Sequence, residues 1–201
     1  MIHSVVTQVH LPAGIAGPDP VDFDVRCFLV PHGTGVILVD TGLDYSAPLI
    51  AKKLAEIGGD WCDVTDVILT HAHPDHTGAL TEVIARAPAA AVWAGADDTF
   101  PIAVTAAEEG AMIRGLQVIA TPGHTAGHLS LLATDDDVLL IGDLAGSQNG
   151  QLTRAPETFT ADAAEAERSL HKVSMLDFTH LYPSHGTPTD RQALRQLLSG
   201  Q

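Results

Sequence analysis

Basic residues and aromatic residues are both scarce in this 201-residue chain. Lys and Arg together number 10 against 25 Asp and Glu, which gives a formal net charge of -15. A surface with this charge repels nucleic acid and anionic membranes, so we expect neither as a partner. Aromatic residues make up only 4% of the chain, so Val, Leu, Ile and Ala must form most of the core.

Long hydrophobic runs are also missing, and cysteines are few. No run approaches the roughly 18 apolar residues of a membrane span, and the first residues show no basic segment followed by an apolar one. We therefore expect a cytoplasmic protein. Cys27 and Cys62 are the only cysteines. Without an export signal we expect both to be reduced and buried.

Short apolar runs bounded by Gly, Pro, Asp or Thr predict strands. These runs cover residues 5–11, 27–30, 36–39, 67–69, 91–93, 116–120, 129–133, 138–141 and 180–182. Helical patterns lie between them, at residues 46–57, 77–86, 161–176 with Thr160 as its cap, and 190–198. The segments 12–22 and 143–160 are predicted to be irregular.

The strands come in two batches, and each batch is accompanied by helices. This order predicts an α/β fold of four layers, an αββα sandwich. Two mixed β-sheets would pack face to face with helices outside. We expect a single domain over residues 1–201.

Histidines and aspartates are concentrated at the ends of four predicted strands. Three histidines and one aspartate follow the strand 67–69, and single residues follow three later strands. The seven residues are His71, His73, Asp75, His76, His124, Asp143 and His185. Loops at the ends of rigid strands commonly hold catalytic groups. If the four strand ends share one edge, these seven side chains converge on one pocket.

Imidazole and carboxylate groups are typical ligands of zinc, and also of iron, manganese or cobalt. Seven ligands exceed the four of a tetrahedral zinc site and suit two divalent ions, of which Zn²⁺ is favoured, if one carboxylate bridges them. A bound water would have its pKa lowered to about 7 and would supply a nucleophile at neutral pH. The sequence therefore predicts a metal-dependent enzyme.

The run His71-x-His73-x-Asp75-His76, with the later single residues, resembles the defining motif of the metallo-β-lactamase-fold superfamily. The resemblance spans nearly the whole chain. It implies that the first metal is bound by His71, His73 and His124, the second by Asp75, His76 and His185, and that Asp143 bridges them. The segment 39–42 is similar to an early family motif whose aspartate, here Asp40, supports the site without binding metal. From the residues alone, Asp40 is also explained as a turn cap.

Within the superfamily, Asp143 and the segment 121–128 are more similar to the glyoxalase II and lactonase branch than to true β-lactamases. His128 lies outside the seven residues and is expected to pack or to form a supporting hydrogen bond. Only one predicted helix follows His185, so we do not expect a glutathione thioester as substrate.

The predicted activity is hydrolysis of a small ester, thioester or lactone by a metal-bridging hydroxide, with Asp75 and Asp143 as catalytic carboxylates. The alternative is an iron-dependent oxidoreductase of the persulfide dioxygenase type, which the resemblance would place at His71, His124 and Asp143. A non-catalytic metal-binding protein and a phosphodiesterase of small nucleotides remain open. The candidate substrate contacts, each of which also has a structural explanation, are Phe23, Phe28, Tyr45, Phe159 and Arg154. Arg154 would hold a substrate carboxylate.

Overall fold

The computed structural model describes residues 1–14 and 18–200, and two six-stranded sheets dominate it. In spatial order, the first sheet contains β1 (His3–Leu11), β2 (Val21–His32), β3 (Gly35–Val39), β4 (Val64–Leu69), β5 (Ala91–Ala94) and β6 (Thr105–Ala106). β1 to β3 pair antiparallel, whereas β3 to β6 run parallel. The carboxyl ends of β3, β4 and β5 therefore lie along the same edge of this sheet.

The second sheet is also mixed. Its spatial order is β14 (Thr189–Asp190), β13 (His180–Pro183), β10 (Val138–Gly142), β9 (Leu129–Ala133), β8 (Leu116–Ala120) and β7 (Met112–Ile113). β10 and β13 are parallel, and the other neighbours are antiparallel. A separate hairpin consists of β11 (Ala145–Gln148) and β12 (Gln151–Arg154).

Within residues 1–14 and 18–200, five α-helices accompany the sheets, together with short 3-10 turns at Trp61–Asp63 and Glu157–Phe159. The helices are α1 (Ala47–Glu56), α2 (Pro74–Thr77), α3 (Leu80–Arg86), α4 (Ala163–Ser174) and α5 (Arg191–Ser199). None of the helices in the described part of the chain combines the length and the apolar character that crossing a membrane requires.

Apolar side chains alternate between the two faces of each sheet and create three buried layers. In β4, Val67 packs with α1 and α3, whereas Ile68 packs between the two sheets. In β10, Leu140 packs between the sheets, whereas Leu139 packs with α4 and α5. The order is helix, sheet, sheet, helix, so the predicted four-layer αββα sandwich of mixed sheets is confirmed.

Two predictions about the starts of helices need correction. The helix predicted over residues 77–86 is present as α3 but begins at Leu80, because Gly78 and Ala79 separate it from Thr77, the last residue of the short α2. The cap of α4 is Asp162 and not Thr160, since the Asp162 carboxylate accepts a hydrogen bond of 2.9 Å from the Glu165 main-chain N–H.

The predictions for irregular segments and cysteines need correction as well. Residues 143–160 contain the β11–β12 hairpin. The segment 12–22 ends inside β2, which begins at Val21, and residues 15–17 of it lie outside the described residues. Both cysteines are free. Cys27 is buried as predicted, but Cys62 is exposed because it lies in the surface turn Trp61–Asp63.

Candidate metal centre

The structure brings together all seven residues that the sequence predicts as metal ligands. They lie in the turns after strands of both sheets, and Asp75 and His76 stand on α2, which Pro74 begins just beyond β4. Their potential ligand atoms form two groups of four that share Asp143, and within each group all atoms lie within 4.8 Å of one another. The two groups match the division that the family resemblance implies.

The first cluster consists of His71, His73, His124 and Asp143. His73 Nδ1 lies 3.1 Å from His71 Nε2 and 3.0 Å from His124 Nε2. Asp143 Oδ2 is 3.9 Å from His71 Nε2 and 3.5 Å from His124 Nε2. One ring nitrogen donates at most one proton, so hydrogen bonds alone do not satisfy three converging imidazoles. A shared cation does.

The second cluster consists of Asp75, His76, His185 and the same Asp143. Asp75 Oδ2 lies 3.7 Å from His76 Nε2 and 3.4 Å from His185 Nε2. Asp143 Oδ1 is 3.3 Å from His76 Nε2, and its Oδ2 is 3.0 Å from His185 Nε2. The two oxygens of Asp143 therefore face different members of the centre.

The donor atoms fit the demands of divalent cations. Tetrahedral ligands at about 2.0–2.1 Å from a zinc ion lie about 3.3 Å from one another. The distances given above for the two clusters bracket this spacing, since they range from 3.0 to 3.9 Å, and every pair of ligand atoms within a cluster lies within 4.8 Å. Among the described residues, His76 Nε2 and Asp143 Oδ1 are buried side-chain atoms without a hydrogen-bond partner. Such atoms are costly to bury, and a coordinated cation removes that cost.

Asp40 supports this centre through hydrogen bonds to Thr70 and His76. Its carboxylate accepts hydrogen bonds from the Thr70 main-chain N–H (2.7 Å) and the Thr70 hydroxyl (2.8 Å). It also lies 2.9 Å from His76 Nδ1. Nδ1 of His76 therefore carries a proton, which leaves Nε2 directed at Asp75 and Asp143. Asp40 adopts a φ of 58°, which is unusual for a residue other than glycine.

His128 fixes the main chain at Asp143. The Asp143 N–H donates to His128 Nε2 (3.0 Å), so the proton of this ring lies on Nδ1, 2.8 Å from Thr121 Oγ1. The Thr121 hydroxyl contacts Ser130 Oγ, which donates to a carbonyl of β10. Gly142 has a φ of 62°, and a Cβ there would lie 2.6 Å from His128 Nε2. His128 thus forms the supporting hydrogen bond expected from the sequence.

Asp98 is a supporting residue that the sequence analysis missed. Its carboxylate accepts hydrogen bonds from the Ala72 N–H (3.0 Å), the Thr125 hydroxyl (2.7 Å) and the Gly127 N–H (2.9 Å). It therefore joins the loop that carries His71 and His73 to the loop that carries His124. Its position in the turn just after β5 is the same signal that identified the seven predicted residues.

The two clusters differ in their electrostatics. Burial lowers the pKa of His71 well below its usual value and lowers that of His124 to about 4, so both rings are neutral at pH 7. Burial also disfavours charge on His185, but the Asp143 carboxylate outweighs it and raises the pKa to about 10. Burial likewise disfavours charge on His76, but the Asp143 and Asp40 carboxylates outweigh it and raise the pKa of His76 well above its usual value. A cation entering the second cluster must displace these protons.

The aromatic residues proposed as substrate contacts lie in different environments. Phe28 is buried between the sheets, which agrees with its structural explanation and not with a substrate contact. Phe23 packs edge-on against the His185 ring, with a centroid distance of 5.4 Å. Tyr45 is exposed, and Phe159 is half exposed in a depression that His73 and His124 also line.

Arg154 is engaged elsewhere. Its guanidinium donates to both carboxylate oxygens of Glu167, at 2.7 and 2.8 Å, and to the Leu197 carbonyl at 3.3 Å. These contacts join β12 to α4 and α5. The prediction that Arg154 holds a substrate carboxylate is not supported, because its fork already binds a carboxylate of the protein.

Comparisons with known proteins agree with the fold. The model of the metallo-beta-lactamase superfamily matches residues 20–185. Thioesterase pkgB of Emericella nidulans is 31% identical over 164 residues, which cover 79% of this chain and 45% of that protein. Beta-lactamase-like protein 2 homolog of Caenorhabditis elegans is 28% identical over 196 residues, which cover 88% of this chain and 62% of that protein. The chain thus spans about half to three fifths of the length of these two relatives.

A solved structure shows the same fold over its whole length. The crystal structure of TTHA1623 in a di-iron-bound form has a TM-score of 0.74 and 23% sequence identity to this chain. The likeness covers 97% of this chain and 100% of that one. At this level of identity the match shows a shared fold.

Proposed function

Because this chain belongs to the metallo-beta-lactamase superfamily, we propose that it is a metal-dependent hydrolase of a small ester, thioester or lactone. The observation that carries the proposal is the pair of four-atom clusters that share Asp143. The thioesterase activity named for the relative pkgB supports an acyl substrate. The net charge of -15 supports a small molecule rather than nucleic acid as the partner.

Two divalent cations, when bound, supply Lewis acidity for an acyl carbonyl and lower the pKa of a water molecule to about 7. The residues of the chain supply the geometry. His71, His73 and His124 would hold one cation, and Asp75, His76 and His185 the other. Asp143 belongs to both clusters, since its Oδ2 faces His124 and His185 and its Oδ1 faces His76.

The two aspartates of the centre differ in their access to solvent. The side chain of Asp75 is 23% exposed and that of Asp143 only 9%. This difference supports assigning to Asp75 the orientation of an attacking water and the transfer of a proton to the departing group, and to Asp143 the role of joining the two clusters.

The test is hydrolysis by protein reconstituted with zinc, with 4-nitrophenyl butyrate, a simple thioester and a simple lactone as substrates. We expect turnover of at least one of them. In Asp143→Ala and the equal-volume Asp143→Asn, turnover and metal retention should fall together, by about 100-fold or more. Asp135→Ala in the exposed β9–β10 turn is the matched control. Full activity in both Asp143 variants would contradict the proposal.

An iron-dependent oxidoreductase is the second candidate, since imidazole and carboxylate ligands also accept iron and TTHA1623 has a di-iron-bound form. It predicts oxygen uptake by the iron-loaded protein with a persulfide substrate. If the iron-loaded protein consumes no oxygen under those conditions, this candidate is excluded.

A further inference from the structure

A shallow depression of about 330 Å³ opens beside the first cluster. Two of its lining residues, His73 and His124, belong to the candidate metal centre. The other wall is the segment 158–161, in which Phe159 is half exposed. A group bound here therefore contacts both the centre and an apolar ring.

The wall that carries Phe159 is fixed to the centre by hydrogen bonds. The Ala161 N–H donates to the His124 carbonyl at 3.0 Å. The Thr160 hydroxyl donates to the Pro156 carbonyl at 3.0 Å, so its oxygen is left to accept the Nδ1–H of His124 at 3.5 Å. This arrangement directs Nε2 of His124 towards the first cluster. The position of Phe159 is therefore coupled to that of a candidate ligand.

No Lys or Arg side chain is among the described residues that line the depression. Apart from the two histidines, its lining consists of Thr, Ala and Phe side chains. Arg154, the cation nearest in sequence to Phe159, is held by the Glu167 carboxylate. Behind Thr125, the Asp98 carboxylate accepts the threonine hydroxyl at 2.7 Å. A negatively charged group at the Phe159 end of the depression, away from the two histidines, would lose hydration without gaining a counter-charge from a lining side chain.

We propose that this depression receives the acyl side of the substrate, that this acyl group is uncharged, and that Phe159 is its specificity-determining contact. The inference rests on the proposed hydrolase function and adds the class of acyl group. It assigns the apolar part of the acyl chain to the Phe159 ring and the carbonyl to the neighbouring centre. A terminal carboxylate on the acyl chain is rejected.

A matched pair of esters tests this assignment on the zinc-loaded protein. 4-Nitrophenyl hexanoate and mono-4-nitrophenyl adipate have the same leaving group and the same acyl length, but only the second carries a carboxylate, which is too far along the chain to attack its own ester readily. We expect kcat/KM to be at least about tenfold higher for the hexanoate, within the range that a pocket contact provides. Ester and thioester analogues with longer apolar acyl chains extend the series.

Phe159→Ala should raise KM for the hexanoate about tenfold while kcat stays within about twofold, because the lost contact is present before and during the reaction. Phe159→Leu should restore most of the affinity. Met175→Ala is the control, since Met175 is also an exposed apolar residue but does not line the depression. A merely structural role of Phe159 would lower kcat for both esters equally.

Equal kcat/KM for the two esters, or an unchanged KM in Phe159→Ala, would overturn the acyl assignment while leaving the hydrolase function intact. Absence of turnover with every ester, thioester and lactone would overturn the hydrolase function and this inference together.

Discussion

Replacing Asp98 by Asn tests whether the two ligand-bearing loops depend on a common anchor. Asp98 Oδ2 accepts from the Ala72 N–H and the Thr125 hydroxyl, and Oδ1 accepts from the Gly127 N–H. Asparagine has the same shape but only one acceptor oxygen, and its NH₂ group must face one of these donors. At least one main-chain N–H therefore loses its acceptor. A Cβ on Gly95 would lie 2.0 Å from the Gly127 carbonyl oxygen, so the turn that carries Asp98 packs tightly against the loop that carries His124.

The expected cost follows from the charge of the acceptor. Hydrogen bonds to charged groups contribute about 1.5–3 kcal/mol, and about 1.4 kcal/mol corresponds to a factor of ten in affinity. Asp98 is only half buried, so water compensates for part of the loss. We therefore expect zinc affinity at the first cluster to fall about tenfold, the lower end of the range for residues that orient ligands.

Competition with a chromophoric chelator measures the two zinc affinities separately. Asp98→Asn should lower the zinc affinity of the cluster that contains His71, His73 and His124. The zinc affinity of the second cluster should stay nearly unchanged. Asp97→Asn is the exposed neighbouring control. Asp66→Asn controls for stability, because Asp66 is a buried carboxylate that binds Trp93 and Arg114 instead of the loops. Unchanged affinity in Asp98→Asn, or an equal loss in Asp66→Asn, would refute the reasoning.

Three further predictions follow from the supports of the centre. Asp40→Asn should weaken zinc binding about 10- to 100-fold, because His76 Nδ1 loses its carboxylate partner; chelator titration measures this, and unchanged affinity would contradict it. The raised pKa values of His76 and His185 mean that protons compete with the cation of the second cluster. Its affinity should therefore fall as pH falls, by about tenfold per pH unit for each displaced proton, and calorimetry in buffers of different ionisation heat should detect proton release. Gly142→Ala places a Cβ 2.6 Å from His128 Nε2; we expect a loss of about 1–3 kcal/mol in the free energy of unfolding, whereas an unchanged urea midpoint would argue against the His128 contact.

Sequence patterns were sufficient for the layers and for the gathering of the seven residues. Strand periodicity and the turn residues after each strand are local properties, so they can be read from the sequence without knowledge of tertiary contacts. The run from His71 to His76 and the single residues His124, Asp143 and His185 each follow a strand, and the structure joins those strand ends in one place. Their role as ligands stays a prediction.

Long-range partners were not readable from the sequence. From its sequence context, Arg154 could bind a substrate carboxylate, but in the structure its guanidinium donates to the carboxylate of Glu167 on α4. The position of Asp98 after β5 is a readable signal, but the groups that it binds, on the loops that carry Ala72 and Gly127, are known only from the structure. The predicted cap of α4 was Thr160 and the observed cap is Asp162. Both residue types favour the N-cap position, so only the backbone conformation decides between them.

Metal content per chain is the most direct test of the central claim, and plasma mass spectrometry on protein expressed without added metal measures it. We expect two divalent cations per chain, with zinc favoured. Variants at His71 should lose the cation of the first cluster, and variants at Asp143 should affect both. A content well below one cation per chain, or two cations that persist in the Asp143 variants, would contradict a shared two-cation centre. A single iron per chain would instead favour the oxidoreductase.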